Sequence, residues 1–137
     1  MRGGTNAQNE LPKFTVTTKT ATPGSRTFND WGELTDYRYT ATENGILVVL
    51  GSLNFGNAGL FYSYNGVLGY ADNTGAIHVN STVKLNAGQS WALVINYNGS
   101  INFSTDTRYT TLNYLFIKEG GGRKLSRLRR LFRRRGA

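Results

Sequence analysis

Cysteine is absent from this chain and histidine occurs once, as His78. Without thiols there is neither a disulfide framework nor a thiolate zinc site, and a lone imidazole cannot build a histidine cluster. Cysteine-protease, zinc-finger and thiol redox chemistry are thereby excluded. Proline is scarce, with 2 residues, and no apolar run approaches the roughly 18 to 20 residues that cross a bilayer. The opening stretch from Met1 to Glu10 lacks the apolar centre of a secretory signal. The expectation is a soluble protein made in the cytoplasm. Acidic residues are missing from one end altogether. Residues 1 to 120 hold eight basic and eight acidic side chains, so the whole formal charge of +8 resides in Arg123, Lys124, Arg127, Arg129, Arg130, Arg133, Arg134 and Arg135. A neutral body carries a cationic tail.

What the chain does have is 14 Asn, 16 Thr and 8 Ser among 137 residues, with 17 Gly and 12% aromatic residues. Thr and aromatic side chains suit a pleated surface, and Gly and Asn suit turns, so the mixture points to many short strands. Phe14 and Val16 alternate with Thr15 and Thr17 in a first strand that stops before a Thr22-Pro23-Gly24-Ser25 turn. Tyr37 and Tyr39 alternate with Arg38 and Thr40, and Glu43-Asn44-Gly45 then joins this strand to Ile46–Leu50 as a hairpin. Leu60–Tyr64 and Val67–Ala71 flank Asn65-Gly66, the dipeptide that accepts two positive φ values in a tight turn. Further strands are expected at 76–79, 82–85, 91–97, 101–104 and 110–118. About 105 residues suffice for one core and no more. The reading is an all-β antiparallel sandwich, a jelly roll, over residues 13–119, with an arm at 1–12, a glycine joint at 120–122 and a basic tail at 123–137.

Three of these strands do not alternate. Ile46 to Leu50, Trp91 to Ile95 and Leu115 to Ile117 are apolar on both faces, whereas a sandwich buries only one face of each sheet. Either loops cover the second face or another copy of the chain does. The second is the preferred expectation.

The order Tyr39-Thr40-Ala41, Asn44-Gly45-Ile46-Leu47-Val48-Val49, Val83-Lys84-Leu85-Asn86-Ala87-Gly88-Gln89, Trp91-Ala92-Leu93-Val94 and Leu112-Asn113-Tyr114-Leu115-Phe116-Ile117 resembles the trimeric jelly-roll heads of the complement and tumour-necrosis-factor type. Versions of that head at the tips of bacteriophage tail and head fibres are the nearer likeness, which extends over about residues 14 to 118. Gln89 stands where such heads often carry Asp, and the chain has neither the signal nor the collagen-like stalk of animal members. The resemblance implies a homotrimer and a place in a virion, assembled in the cytoplasm and released by lysis.

Chemistry-bearing residues are few. Asp30, Glu33 and Asp36 cluster near Trp31, where a glycosidase carboxylate pair is conceivable, but acids in a turn-rich segment read more simply as solvated loop charges. His78, between Ile77 and Val79, has no partner visible in the sequence. The glycines fall singly at turns and form no phosphate loop. No catalytic residue, metal site or cofactor is expected. Asn80-Ser81-Thr82, Asn98-Gly99-Ser100 and Asn102-Phe103-Ser104 match the glycosylation acceptor pattern, but so Asn- and Thr-rich a chain matches it by chance. Aromatic rings beside Asn or Asp can stack on a sugar and bond its hydroxyls, which makes Tyr64, Asn65, Tyr70, Asp72, Asn73, Tyr97 and Asn98 the expected ligand-binding residues.

In the tail, Leu125, Leu128, Leu131 and Phe132 share one side of a helical wheel with arginines around the rest. Such a segment suits nucleic acid, an anionic membrane or an acidic protein surface. The expected function is a non-enzymatic virion adhesion or decoration module that meets a host-surface glycan or another virion protein. A small capsid or nucleoprotein with a nucleic-acid-binding tail, and a free-standing sugar-binding lectin domain, are the alternatives.

Overall fold

The computed structural model describes residues 13–119, and these are all β apart from two 3-10 turns at Thr35–Tyr37 and Thr107–Tyr109. One sheet runs in the order β1 (Phe14–Thr20), β12 (Thr111–Lys118), β5 (Gly45–Asn54), β8 (Ala76–Leu85). The other runs β3 (Trp31–Glu33), β10 (Leu93–Asn96), β6 (Phe61–Tyr64), β7 (Val67–Tyr70). All these pairings are antiparallel. Two short ribbons, β2 (Gly24–Phe28) with β11 (Gly99–Phe103) and β4 (Tyr39–Thr40) with β9 (Ser90–Trp91), prolong the β3–β10 pairing at either end. This is the jelly-roll sandwich expected from the composition. The arm at 1–12, the joint Gly120–Gly122 and the tail with its Arg and Lys residues lie outside the described residues.

Alternation fills the space between the sheets. Leu47, Val49 and Leu53 from β5, Leu112, Tyr114 and Phe116 from β12, and Ile77 and Val79 from β8 face Tyr62, Tyr64, Leu93 and Ile95 of the second sheet, and all are buried. Trp91 stands edge-on to Tyr114 at 5.9 Å between ring centroids and donates its indole N–H to buried Ser81 Oγ at 3.0 Å, so its polar atom is satisfied inside the core. Two buried tyrosines tie distant segments together. Tyr37 donates its hydroxyl to the Thr110 carbonyl at 2.6 Å, and Tyr114 donates to the Tyr37 carbonyl at 2.7 Å. Burial pushes both phenols well above the usual tyrosine range, so both hydroxyls remain donors.

The Asn65-Gly66 hairpin is as expected, with φ of 47° and 80° joining β6 to β7. Three other expectations are corrected. Residues 37–50 are not a hairpin: Tyr37 sits in a 3-10 turn, Tyr39 and Thr40 pair with Trp91 and Ser90, and β5 pairs with β12 and β8. The tyrosine alternation there serves packing, since the Tyr39 ring stacks on Tyr114 and Phe116. Residues 76–79 and 82–85 belong to one ten-residue strand, because Ser81 turns inward to meet Trp91 rather than interrupting it. Residues 24–33, taken as turn and loop, form β2 and β3.

Candidate functional site

Opposed residues in neighbouring antiparallel strands share a face, so register converts the two-sided strands into a surface. On the outer face of the first sheet one row reads Phe14, Ile117, Ile46, Lys84 and the next Val16, Leu115, Val48, Thr82. Leu50 follows between Asn113 and Asn80. Seven apolar side chains are contiguous here, with Phe14 69%, Val16 65% and Leu50 46% exposed. Among the described residues no element packs over them.

The outer face of the second sheet carries a different pattern. One row across the strands reads Trp31, Asn96, Phe61, Tyr70 and the next Glu33, Val94, Ser63, Leu68. Trp31 is 47% and Tyr70 59% exposed, and the Phe61 and Tyr70 rings meet edge to face at 4.7 Å. Asp30 adjoins Trp31 with φ of 70°, a left-handed conformation uncommon outside glycine. It is held there by its neighbours across the ribbon. Its N–H donates to Asn98 Oδ1 at 2.7 Å, its carboxylate accepts from Asn96 Nδ2 at 2.8 Å, and its carbonyl accepts from the Tyr97 N–H at 3.2 Å. Glu33 takes the Arg38 Nε–H at 2.9 Å.

Of the expected ligand-binding residues, Tyr70 stands in this aromatic row and Asn98 at its margin. Tyr97 is partly buried, its hydroxyl accepting from Asn57 Nδ2 at 2.8 Å. Tyr64 packs in the core, where its hydroxyl accepts the Asn80 N–H, and is turned away from any ligand. Asn65 is exposed at the tip of the hairpin and Asn73 lies in the loop after β7. Asp72 builds that loop, its Oδ1 accepting from the Thr74 hydroxyl at 2.6 Å, the Thr74 N–H at 2.9 Å and the Ala76 N–H at 3.0 Å. These bonds, first the Thr74 hydroxyl, then the Ala76 N–H and His78, hold its carboxyl far below the usual aspartate range. Trp31 and Phe61, exposed in the same row, were not among the expected residues. The signal for Trp31 was present, because a tryptophan among Asn and Asp residues in a hydrophilic segment has little reason to be buried.

No family model and no curated protein matches the chain. Among solved structures it is similar to a carbohydrate-binding module from Cellvibrio mixtus lichenase 5A, solved in complex with cellotriose, at 17% identity over 82% of this chain and 92% of that one, with a TM-score of 0.27. That likeness is too loose to carry residues from one chain to the other.

His78, expected to stand alone, has two partners: Ser52 Oγ lies 2.9 Å from Nδ1 and Asp72 Oδ2 lies 3.0 Å from Nε2. The trio has the elements of a charge-relay set. It stands on open sheet surface, with the His78 side chain 65% exposed, whereas a depression of about 290 Å³ lies elsewhere, lined by Glu43, Asn44, Lys118 and Glu119. Asp72 is engaged in shaping its own loop, and the set reads as a surface brace between β5, β8 and that loop. The three acids near Trp31 have separate partners: Asp30 with Asn96, Glu33 with Arg38, Asp36 with Arg26 at 2.9 Å. They form no facing carboxylate pair.

Proposed function

We propose that the chain is a non-enzymatic, self-associating adhesion head of a virion, a fibre tip or decoration module whose copies pack through the outer face of the β1-β12-β5-β8 sheet and present the opposite sheet and its loops to a host-surface glycan or another virion protein. The observation that carries this reading is the pair of apolar rows on that outer face, Phe14-Ile117-Ile46 and Val16-Leu115-Val48. A contiguous apolar surface of this kind on a soluble protein marks a contact surface, and closed symmetric assembly covers it identically on every copy. Three copies about one axis accords with the resemblance to trimeric jelly-roll heads.

The concentration of all net charge beyond residue 122 favours a second reading, a small capsid or nucleoprotein whose tail packages nucleic acid. Light scattering on the full chain and on a chain ending at Lys118 separates the two. A discrete trimer for both supports the adhesion head. Large assemblies that need the tail or added nucleic acid support the capsid. A monomer for both refutes the use of the apolar face for self-association and leaves a free-standing lectin domain.

A further inference from the structure

We infer that the row Trp31, Asn96, Phe61 and Tyr70 on the outer face of the β3-β10-β6-β7 sheet is a binding platform for a neutral polysaccharide, with the sugar chain lying across the strands. The inference deepens the adhesion reading above by giving the glycan a surface and a chemical class.

The platform has two stacking stations. Trp31 on β3 and Phe61 on β6 are separated by one strand, which sets them about 9 to 10 Å apart. That span accommodates two linked hexose rings. Phe61 and Tyr70 form the second station together, their edge-to-face contact fixing both rings on the strand pair beneath them. The apolar C–H face of a pyranose covers an aromatic ring, and its rim of hydroxyls seeks amides and carboxylates. Asn96 lies between the stations and Asp30 and Asn98 lie beside Trp31, and their mutual bonds leave Asn96 Oδ1, Asn98 Nδ2 and Asp30 Oδ2 without a bond to the described residues. The polar groups are thus held in place and still have capacity for a ligand.

Charge selects among the ligands that stack. Among the described residues, the ionic groups beside Trp31 are Asp30 and Glu33, and the Arg38 guanidinium is engaged by Glu33. Phosphate, sulfate and uronate groups are repelled, which disfavours a nucleic acid strand as well as acidic polysaccharides. The left-handed backbone of Asp30, pinned from three sides by residues 96–98, is a conformational cost of the kind expected where a neighbouring side chain must be presented in a fixed place.

The test is affinity electrophoresis of the full chain through gels containing yeast mannan, dextran or hydroxyethylcellulose, with polygalacturonate and a single-stranded thymidine oligonucleotide for comparison. At least one neutral polymer is expected to retard the protein. Trp31→Ala and Tyr70→Ala should each weaken that retardation about tenfold at an unchanged thermal midpoint, while Trp31→Phe keeps it within a few fold. The chain has 2 tryptophans and Trp91 is buried, so the ligand should alter tryptophan emission in the wild type and not in Trp31→Phe. Retardation by none of the neutral polymers, retardation indifferent to Trp31→Ala and Tyr70→Ala, or Trp31-dependent retardation by the polyanions alone overturns the proposal. Light scattering on the same samples keeps the two readings apart. Glycan binding by a monomer sinks self-association alone, and a stable oligomer without glycan binding sinks the platform alone.

Discussion

Leu50→Asp places a charge at the end of the proposed contact face, next to the Val16-Leu115-Val48 row, while sparing the core. Leu50 keeps 46% of its surface in water within a single chain, so the substitution empties no cavity. Full burial of a leucine contributes about 1.5 to 3 kcal/mol, and covering the remaining half by another copy contributes roughly 1 kcal/mol. An aspartate at that position must lose water as the copies meet, a penalty of several kcal/mol per ion when no cation faces it. Its cross-strand neighbours in the same sheet, Asn113 and Asn80, are both neutral and supply no cation from within the chain. A net loss of about 3 kcal/mol per contact corresponds to roughly a hundredfold weaker association. Within one chain an exposed-face substitution of this kind changes stability by about 1 kcal/mol at most, a shift of several degrees in thermal midpoint. Sedimentation velocity across a concentration series should show the wild type as one oligomer and Leu50→Asp as a folded monomer. A wild type that stays monomeric, or a variant of unchanged mass, refutes the reasoning.

Three further outcomes follow from the interior and the loops. Tyr37→Phe removes the hydroxyl bonded to the Thr110 carbonyl and leaves that oxygen with the Ala21 N–H at 3.2 Å alone, for a loss of about 0.5 to 1.5 kcal/mol in urea unfolding with little change in m-value. Gly45→Ala places a methyl group against the Ile117 carbonyl oxygen and the Phe116 ring, so a loss of about 1 to 3 kcal/mol or more is expected, and a neutral result in the same assay would mean that β5 and β12 are less closely apposed. The Asp72 carboxyl titrates in the folded chain far below its unfolded value, so its contribution is complete above about pH 4 and is lost as the pH falls through the folded value. Asp72→Asn should therefore flatten the decline of thermal midpoint between about pH 4 and pH 2, and parallel acid limbs for variant and wild type would contradict this.

Much of the fold was legible because alternation and turn chemistry are local. Asn65-Gly66 specifies its hairpin by backbone preference alone, and the Leu112, Tyr114, Phe116 repeat specifies which face of the last strand turns inward. Residues 37–50 misled because Tyr37 and Tyr39 obey strand alternation while their partners lie some fifty to eighty residues away, at Trp91, Thr110 and Tyr114. Ser81 looked like a break between strands since its reason for being buried is the indole of Trp91, which no local pattern announces. The aromatic row was invisible for the same reason: Trp31, Phe61 and Tyr70 are scattered along the chain and become neighbours only through the register of four strands. The two-sided apolar strands, in contrast, pointed correctly to an outer face without cover from the described elements.

The position of β12 between β1 and β5 has a consequence for biosynthesis. A growing chain can pair β5 with β8 early, but β1 has no lateral partner until residues 111–118 exist, and the edge of β5 that will receive β12 stays open meanwhile. From the completion of β8 at Leu85 until β12 is complete at Lys118, nascent copies on one message thus expose matching unpaired edges beside Ile46, Val48 and Leu50. Open edges of this kind on incomplete chains are sites of mispairing, and the order of these strands keeps one open until the last of them is made.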